Sequence, residues 1–420
     1  MSALASYRRL LGLAGPLYVL VAFLGRLPVS MCQLGTLLLV SSSTGSYGVG
    51  GLATGALAIS NAVGAPLAAT VADRVGQRPV VLVQSLAGAA ALTGLVVVAV
   101  QGAPTNLLVV AAAATGLLLP QVGPFARVRW RNITDGSGPE QRRLVDAAFA
   151  YEGAADEASF VLGPALVGAT AVLVSPAGAL LFGAVMLAGF GAWFALHPTA
   201  TATRRDGAAA RRPGRLPALF GVLLAAQLFI GVLFGATQTG TAALAAEGGQ
   251  PGTAGLVHAL LGIGSVIAGL AMVLVPQRVG HERRVLAAAA LLVVLSAPLL
   301  LVGSLAGLSL VVLSLGVAVG PYMIGVFTLG ERICPPGRVA LGMTLLGSMV
   351  GVGYAVGAGV AGPLTDAHGY SAAFLVTVIA TGAAFGLSAL SQRAFRRATA
   401  TETVAAENAK VTCVAAPGRP

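Results

Sequence analysis

Charge is scarce in this chain. Only 9% of its 420 residues are Asp, Glu, Lys or Arg, too few to cover a water-soluble domain of that size. Lysine occurs once, at Lys410 in Glu-Asn-Ala-Lys. There is therefore no glycine-rich phosphate loop ending in lysine, which excludes an ATP-driven pump on this chain. Histidine occurs four times, and His281-Glu-Arg-Arg lacks the second histidine of an H-E-x-x-H metalloprotease site. The three cysteines, Cys32, Cys334 and Cys413, are scattered without metal-ligand spacing. They read as free thiols, not as a disulfide framework. No cofactor, no metal and no enzymatic activity is expected.

What the chain has instead is apolar length. Hydrophobic residues make up 56% of it, gathered in twelve runs at about 10–40, 46–72, 79–101, 106–127, 143–173, 177–197, 217–245, 252–276, 284–304, 307–330, 339–365 and 371–392. Each is long enough to cross a bilayer. Each must do so as a helix, because lipid offers backbone groups no partners and the runs lack the alternation of a barrel. Arg8 and Arg9 precede the first run, which continues past any signal-peptide cleavage point and reads as an uncleaved first span.

The formal charge of +11 comes from arginines in short clusters between the runs, without interleaved aromatics. That pattern fits a membrane protein and not a nucleic-acid binder. All the clusters fall on one side. The loops on the other side (41–45, 102–105, 174–176, 246–251, 303–306 and 366–370) contain no Lys or Arg. The positive-inside rule then places both termini in the cytoplasm and the chain in the cell membrane, with the lipid bilayer as its solvent.

Organisation follows from the longest connection. It divides the chain into a six-helix bundle at 1–198, a cytoplasmic linker at 199–215, a second bundle at 216–394 and a disordered tail at 395–420. The halves echo each other. Asp73-Arg-Val-Gly-Gln-Arg78 follows the second run, and Gln277-Arg-Val-Gly-His-Glu-Arg283 follows the eighth, about 204 residues later. Gly163-Pro164-Ala-Leu in the fifth run is matched by Gly362-Pro363-Leu in the eleventh. Two matched sites in matched spans indicate a duplicated unit.

Three acids stand inside the fifth run: Glu152, Asp156 and Glu157. Arg26, in Gly25-Arg-Leu-Pro28, is the basic residue inside the first. Intramembrane ionisable groups are expensive and mark function by default. At 1.5 Å per residue, Arg26 reaches a depth similar to Asp156 and Glu157, with Glu152 shallower. Two readings stay open. Either one acid pairs with Arg26 while another carries a proton, Asp156 and Glu157 being preferred over Glu152, or the pair is a fixed structural tie.

At Ala69-Thr-Val-Ala-Asp-Arg-Val-Gly-Gln-Arg78 the chain resembles the major facilitator superfamily, whose loop between the second and third helices is usually written G-x-x-x-D-R-x-G-R-R. Asp73, Arg74, Gly76 and Arg78 match; Ala69 and Gln77 depart. The resemblance implies an all-α membrane protein with 12 transmembrane helices in two pseudo-symmetric six-helix bundles, working as a monomer by alternating access. It also implies that Asp73 latches the halves near the start of the eleventh span. Gly163-Pro164 resembles, in part, the fifth-helix element of the superfamily's drug–proton antiporters, with Gly153 before it and Gly168 after.

These features lead to a secondary transporter, coupled to protons, that exports a small amphiphilic molecule. Uptake of a small metabolite, and a non-transporting sensor or scaffold of the same fold, are the alternatives. Substrate-cavity candidates from spans one, four, seven and ten are Gln33, Gln121, Gln227, Gln238 and Tyr322, with Thr237 and Thr239 beside them. His258 of the eighth span is a second protonation candidate.

Overall fold

The computed structural model describes residues 3–200, 216–272, 279–335 and 339–414. Among them there is helix and no strand. The linker arginines 204–215, Gln277 and Arg278 of the second loop copy, and Arg338 lie outside the described residues. So do the side chains of Asp73, Glu157, Arg142 and Arg143.

Among the described residues twelve helical segments are long and apolar enough to cross a membrane, one for each apolar run. A short helix α1 (Ala3–Ala14) precedes α2 (Pro16–Thr44), α3 (Tyr47–Val75) and α4 (Gln77–Val100). The fourth span is split into α5 (Thr105–Leu118) and α6 (Val122–Ile133), and α7 (Gln141–Leu173) is the fifth. The sixth joins α8 (Pro176–Met186) to α9 (Ala192–Leu196) through a π turn at Leu187–Gly191. The second half comprises α10 (Ala218–Glu247), α11 (Ala254–Ala271), α12 (His281–Ser296), α13 (Leu305–Ile333), α14 (Val339–His368) and α15 (Tyr370–Val414).

Three boundaries correct the sequence reading. The first span starts at Pro16, not near residue 10, because Gly15 takes φ +79° and Pro16 opens the next helix. Proline has no N–H to lose at a first helical position, so the break costs little there. The fourth span runs on to Ile133 and is interrupted at Leu119–Gln121, where Pro120 removes a backbone donor. Arg127, Arg129 and Arg131, read from sequence as loop residues, are therefore on a helix. Residues 395–414, read as a disordered tail, continue α15. No Gly or Pro occurs between Arg393 and Ala416, and Ala, Glu and Lys favour helix.

The two halves are held together by glycine-lined crossings. A Cβ on Gly51 of α3 would stand 2.2 Å from the Ala358 carbonyl of α14, and one on Gly362 would stand 2.3 Å from the Tyr47 carbonyl. Between α7 and α11, a Cβ on Gly255 would stand 2.2 Å from the Pro164 carbonyl, and one on Gly168 would stand 2.7 Å from the Leu256 nitrogen. Absence of side chains is what allows these backbones to touch. All four contacts lie toward the end of the bundle opposite the arginine clusters. Nearer the basic end, Gly153 of α7 and Gly347 and Gly351 of α14 face open space. The tightest contacts between the halves thus lie at the end opposite the arginines.

Candidate functional site

The intramembrane charges meet on the inner faces of α2, α6 and α7. Two proline-relieved helices and a broken one supply the residues: α2 contains Pro28, α7 contains Pro164, and Pro120 separates α5 from α6. Glu152 and Asp156 are four residues apart and so share a face of α7. Arg26 bridges them. Its Nη2 lies 2.5 Å from Glu152 Oε2 and its Nη1 lies 2.9 Å from Asp156 Oδ1. The same guanidinium donates from Nε to the Ala22 carbonyl at 3.2 Å and from Nη1 to the Glu152 carbonyl at 3.4 Å.

Each carboxylate has a second donor from α6. Trp130 Nε1 donates to Glu152 Oε1 at 2.6 Å, and Arg127 Nη2 lies 2.5 Å from Asp156 Oδ2. The two acids differ in setting. Glu152 is fully buried and Arg26 nearly so, whereas Asp156 is 30% exposed and Arg127 35%. Gly123 of α6 makes room for the arrangement, since a Cβ there would stand 2.9 Å from Asp156 Oδ1. The chain therefore runs from a dry end, Trp130 and Glu152, through Arg26 to a wetter end, Asp156 and Arg127.

Glu152, the shallow member by counting residues, is the buried partner of Arg26, and Asp156 is a second, more exposed one. Arg127 and Trp130 were not singled out from sequence. Both lie where the run of apolar residues gives way to arginines, although α6 continues to Ile133.

A second buried guanidinium lies on the same helix. Arg129 is fully buried, donates to Gln77 Oε1 at 3.1 Å and to the Phe194 carbonyl at 2.8 Å, and stacks 3.7 Å above the Phe194 ring. This accounts for the departure of the loop motif at Gln77: a side-chain acceptor is needed there, and a further arginine would set two guanidiniums together. Gly76 takes φ +93° between α3 and α4, a conformation open to glycine. Arg74 and Arg78 are exposed. His197, just past α9, contacts Thr199 at 3.1 Å through Nδ1. Partial burial, and then the nearby Arg129, hold its pKa below the usual histidine value.

Gly163 and Pro164 sit where α7 meets two neighbours. Gly163 packs on Ser30 of α2, and the Pro164 carbonyl meets Gly255 of the other half. The remaining candidates scatter. Gln121, at the break in the fourth span, donates to Asn61 of α3 at 2.8 Å, and both are half-buried. Gln238 is buried and accepts from the Tyr354 hydroxyl of α14. Gln33 is half-buried on α2. Gln227 is fully buried, and neither of its amide atoms has a partner. His258 is buried with Nδ1 unpartnered. Thr239 bonds back to its own helix. Tyr322 and Thr237 belong to the interior of the second half, the first facing Ser388 and the second Thr377, both on α15. Both side chains are buried within that half.

Among the described residues no cluster of His, Cys, Asp and Glu is arranged to hold a metal.

A family model described as Major Facilitator Superfamily matches residues 18–329 and 241–413. No curated protein matches. Among solved structures, the chain is similar to the nucleoside transporter NupG, with a TM-score of 0.68 and 16% identity over 90% of this chain and 99% of that one. It is also similar to the human organic anion transporter MFSD10 (TETRAN), with a TM-score of 0.58 and 20% identity over 88% and 98% of the two chains. A POT family transporter in complex with 5-aminolevulinic acid gives 0.65 and 12% over 92% and 96%. At these identities the likeness is one of fold.

Proposed function

The chain belongs to the major facilitator superfamily, and on that premise we propose that it is a proton-coupled transporter that exports a small amphiphilic molecule from the cytoplasm. The basic end is the cytoplasmic one, on the arginine distribution read from sequence. A monomer suffices for alternating access, since both halves lie on one chain.

The observation that carries the reading is the Arg127–Asp156–Arg26–Glu152 chain of charges. Asp156 is its accessible acid. A proton arriving there neutralises the carboxylate that ties α6 to α7 through Arg127, while Glu152 keeps Arg26 in place. The other end of α7 is the helix that meets α11 through Pro164 and Gly168. Loss or gain of the Asp156 tie therefore acts on an element that both halves share, and a ligand that binds the two states unequally shifts their balance. Glu157, next to Asp156 in sequence, stays a second candidate for the proton.

Export, as opposed to uptake, is supported by the likeness of Gly163-Pro164 to the antiporter element. The half-buried neutral pair Asn61–Gln121 suits a weakly polar ligand. The test is flux in proteoliposomes under an imposed proton gradient, with ethidium, fluorescein and uridine as probes of an amphiphilic cation, an organic anion and a nucleoside. Wild type is compared with Asp156→Asn, Glu157→Gln, Glu152→Gln and Arg26→Ala. Gradient-driven counterflow of a probe, lost in at least one acid variant, is expected. Unchanged gradient-driven flux in all four would sink the coupling, and proton-driven accumulation of uridine would replace export by uptake.

A further inference from the structure

Asp366 lies in the last turn of α14, at the end of the bundle opposite the arginines. A carboxylate there is poorly placed for its own helix, whose C-terminus carries partial negative charge. Its partners explain the position. Oδ1 accepts from the Tyr47 backbone N–H at 2.7 Å, and Oδ2 accepts from the Gly48 N–H at 2.8 Å and the Ser46 hydroxyl at 2.5 Å. These are the orphan donors and cap residue of α3, a helix of the other half. One acid of the second bundle thus completes the N-terminus of a helix in the first, where both the macrodipole and charged acceptors favour it.

Packing permits the approach. A Cβ on Gly48 would stand 2.9 Å from Asp366 Oδ2, and the Gly362 and Tyr47 backbones touch one turn away. Helices α3 and α14 run antiparallel, so the arrangement mirrors, at the other end of α3, the role expected of Asp73 from sequence. Asp366 can hold its three donors only while the halves are closed at its own end.

We propose that Asp366 is a positioning residue of the transport cycle, a latch that stabilises the conformation closed opposite the arginines. The inference takes from the transporter reading only that two conformations alternate; it does not depend on substrate, direction or coupling ion.

The test reads conformation and not flux. In a background with Cys32, Cys334 and Cys413 replaced, spin labels go on Gln101→Cys and Gln250→Cys, exposed at the latch end of the two halves. A second pair, Asp135→Cys and Glu331→Cys, reports the basic end, where both positions are exposed. In the full chain in nanodiscs, Asp366→Asn should raise the ratio of latch-open to latch-closed distances about five- to tenfold, with the basic-end pair moving closer. Asp366→Glu, which keeps the carboxylate, should stay within about twofold of wild type. Gly48→Ala should shift the ratio in the same direction as Asp366→Asn, and the double variant should shift no further than Asp366→Asn alone. An unchanged ratio in a monodisperse Asp366→Asn protein would overturn the latch. So would shifts of Gly48→Ala and Asp366→Asn that simply add. Because distances are read without substrate, a failed flux assay would leave this result standing, and the converse.

Discussion

Trp130 donates its indole N–H to Glu152, 2.6 Å from Oε1, and so occupies the lone pairs that Arg26 leaves free. A carboxylate with no exposure needs both donors. Removing one member of a buried ion pair leaves an uncompensated charge and costs about 3–5 kcal/mol.

Arg26→Ala and Glu152→Ala should therefore each lower the thermal midpoint in detergent sharply. Trp130→Phe, which keeps the ring and loses only the donor, should cost about 1.5–3 kcal/mol. Midpoints of Arg26→Ala or Glu152→Ala equal to wild type would contradict the geometry.

The Asp156–Arg127 pair is half-exposed and should behave differently. Asp156→Asn or Arg127→Gln should change stability by no more than about 1 kcal/mol, yet alter the pH profile of flux. A variant that loses stability without changing that profile would assign the pair a purely structural role.

Gly123→Ala offers the same test without touching a charge. Its new Cβ would lie 2.9 Å from Asp156 Oδ1, so the carboxylate must leave its place between Arg26 and Arg127. Alanine otherwise favours a helix interior by about 1 kcal/mol over glycine. A stable protein with the flux profile of Asp156→Asn is expected; a wild-type profile would show that the carboxylate's position there is not used.

Acid should act through His197. Burial, and then Arg129, hold its pKa below the ordinary histidine value. The folded state therefore takes up this proton less readily than the unfolded one. The associated stability is complete above about pH 6.5 and falls as pH drops through the folded value. Midpoints measured from pH 7.5 to 5.5 should decline less in His197→Gln than in wild type. Parallel declines would remove His197 from the account.

Much of the fold was legible because the bilayer restricts the choices. Apolar length, arginine sidedness and two repeated motifs each reflect one span or one loop, and local sequence carries them. Less of the site was legible. Arg26 and the acids of α7 were singled out by their cost in lipid, but which acid pairs with Arg26 stayed open, because counting residues gives depth and not rotation. Arg127 and Trp130 were missed because the arginines at 127–131 looked like the loop that ends the fourth span, whereas the helix carries them to Ile133.

By itself, the sequence determined a twelve-helix, duplicated membrane protein, since hydrophobic length and backbone hydrogen bonding in lipid leave no other spanning structure. Tertiary structure alone decided which acid Arg26 neutralises, that Arg127 and Trp130 complete the cluster, and that Asp366 reaches across the halves to α3. Those contacts join residues more than a hundred positions apart in sequence, or involve a helix end whose arginines looked like a loop. Their geometry depends on helix rotation and crossing, which no local pattern of residues records.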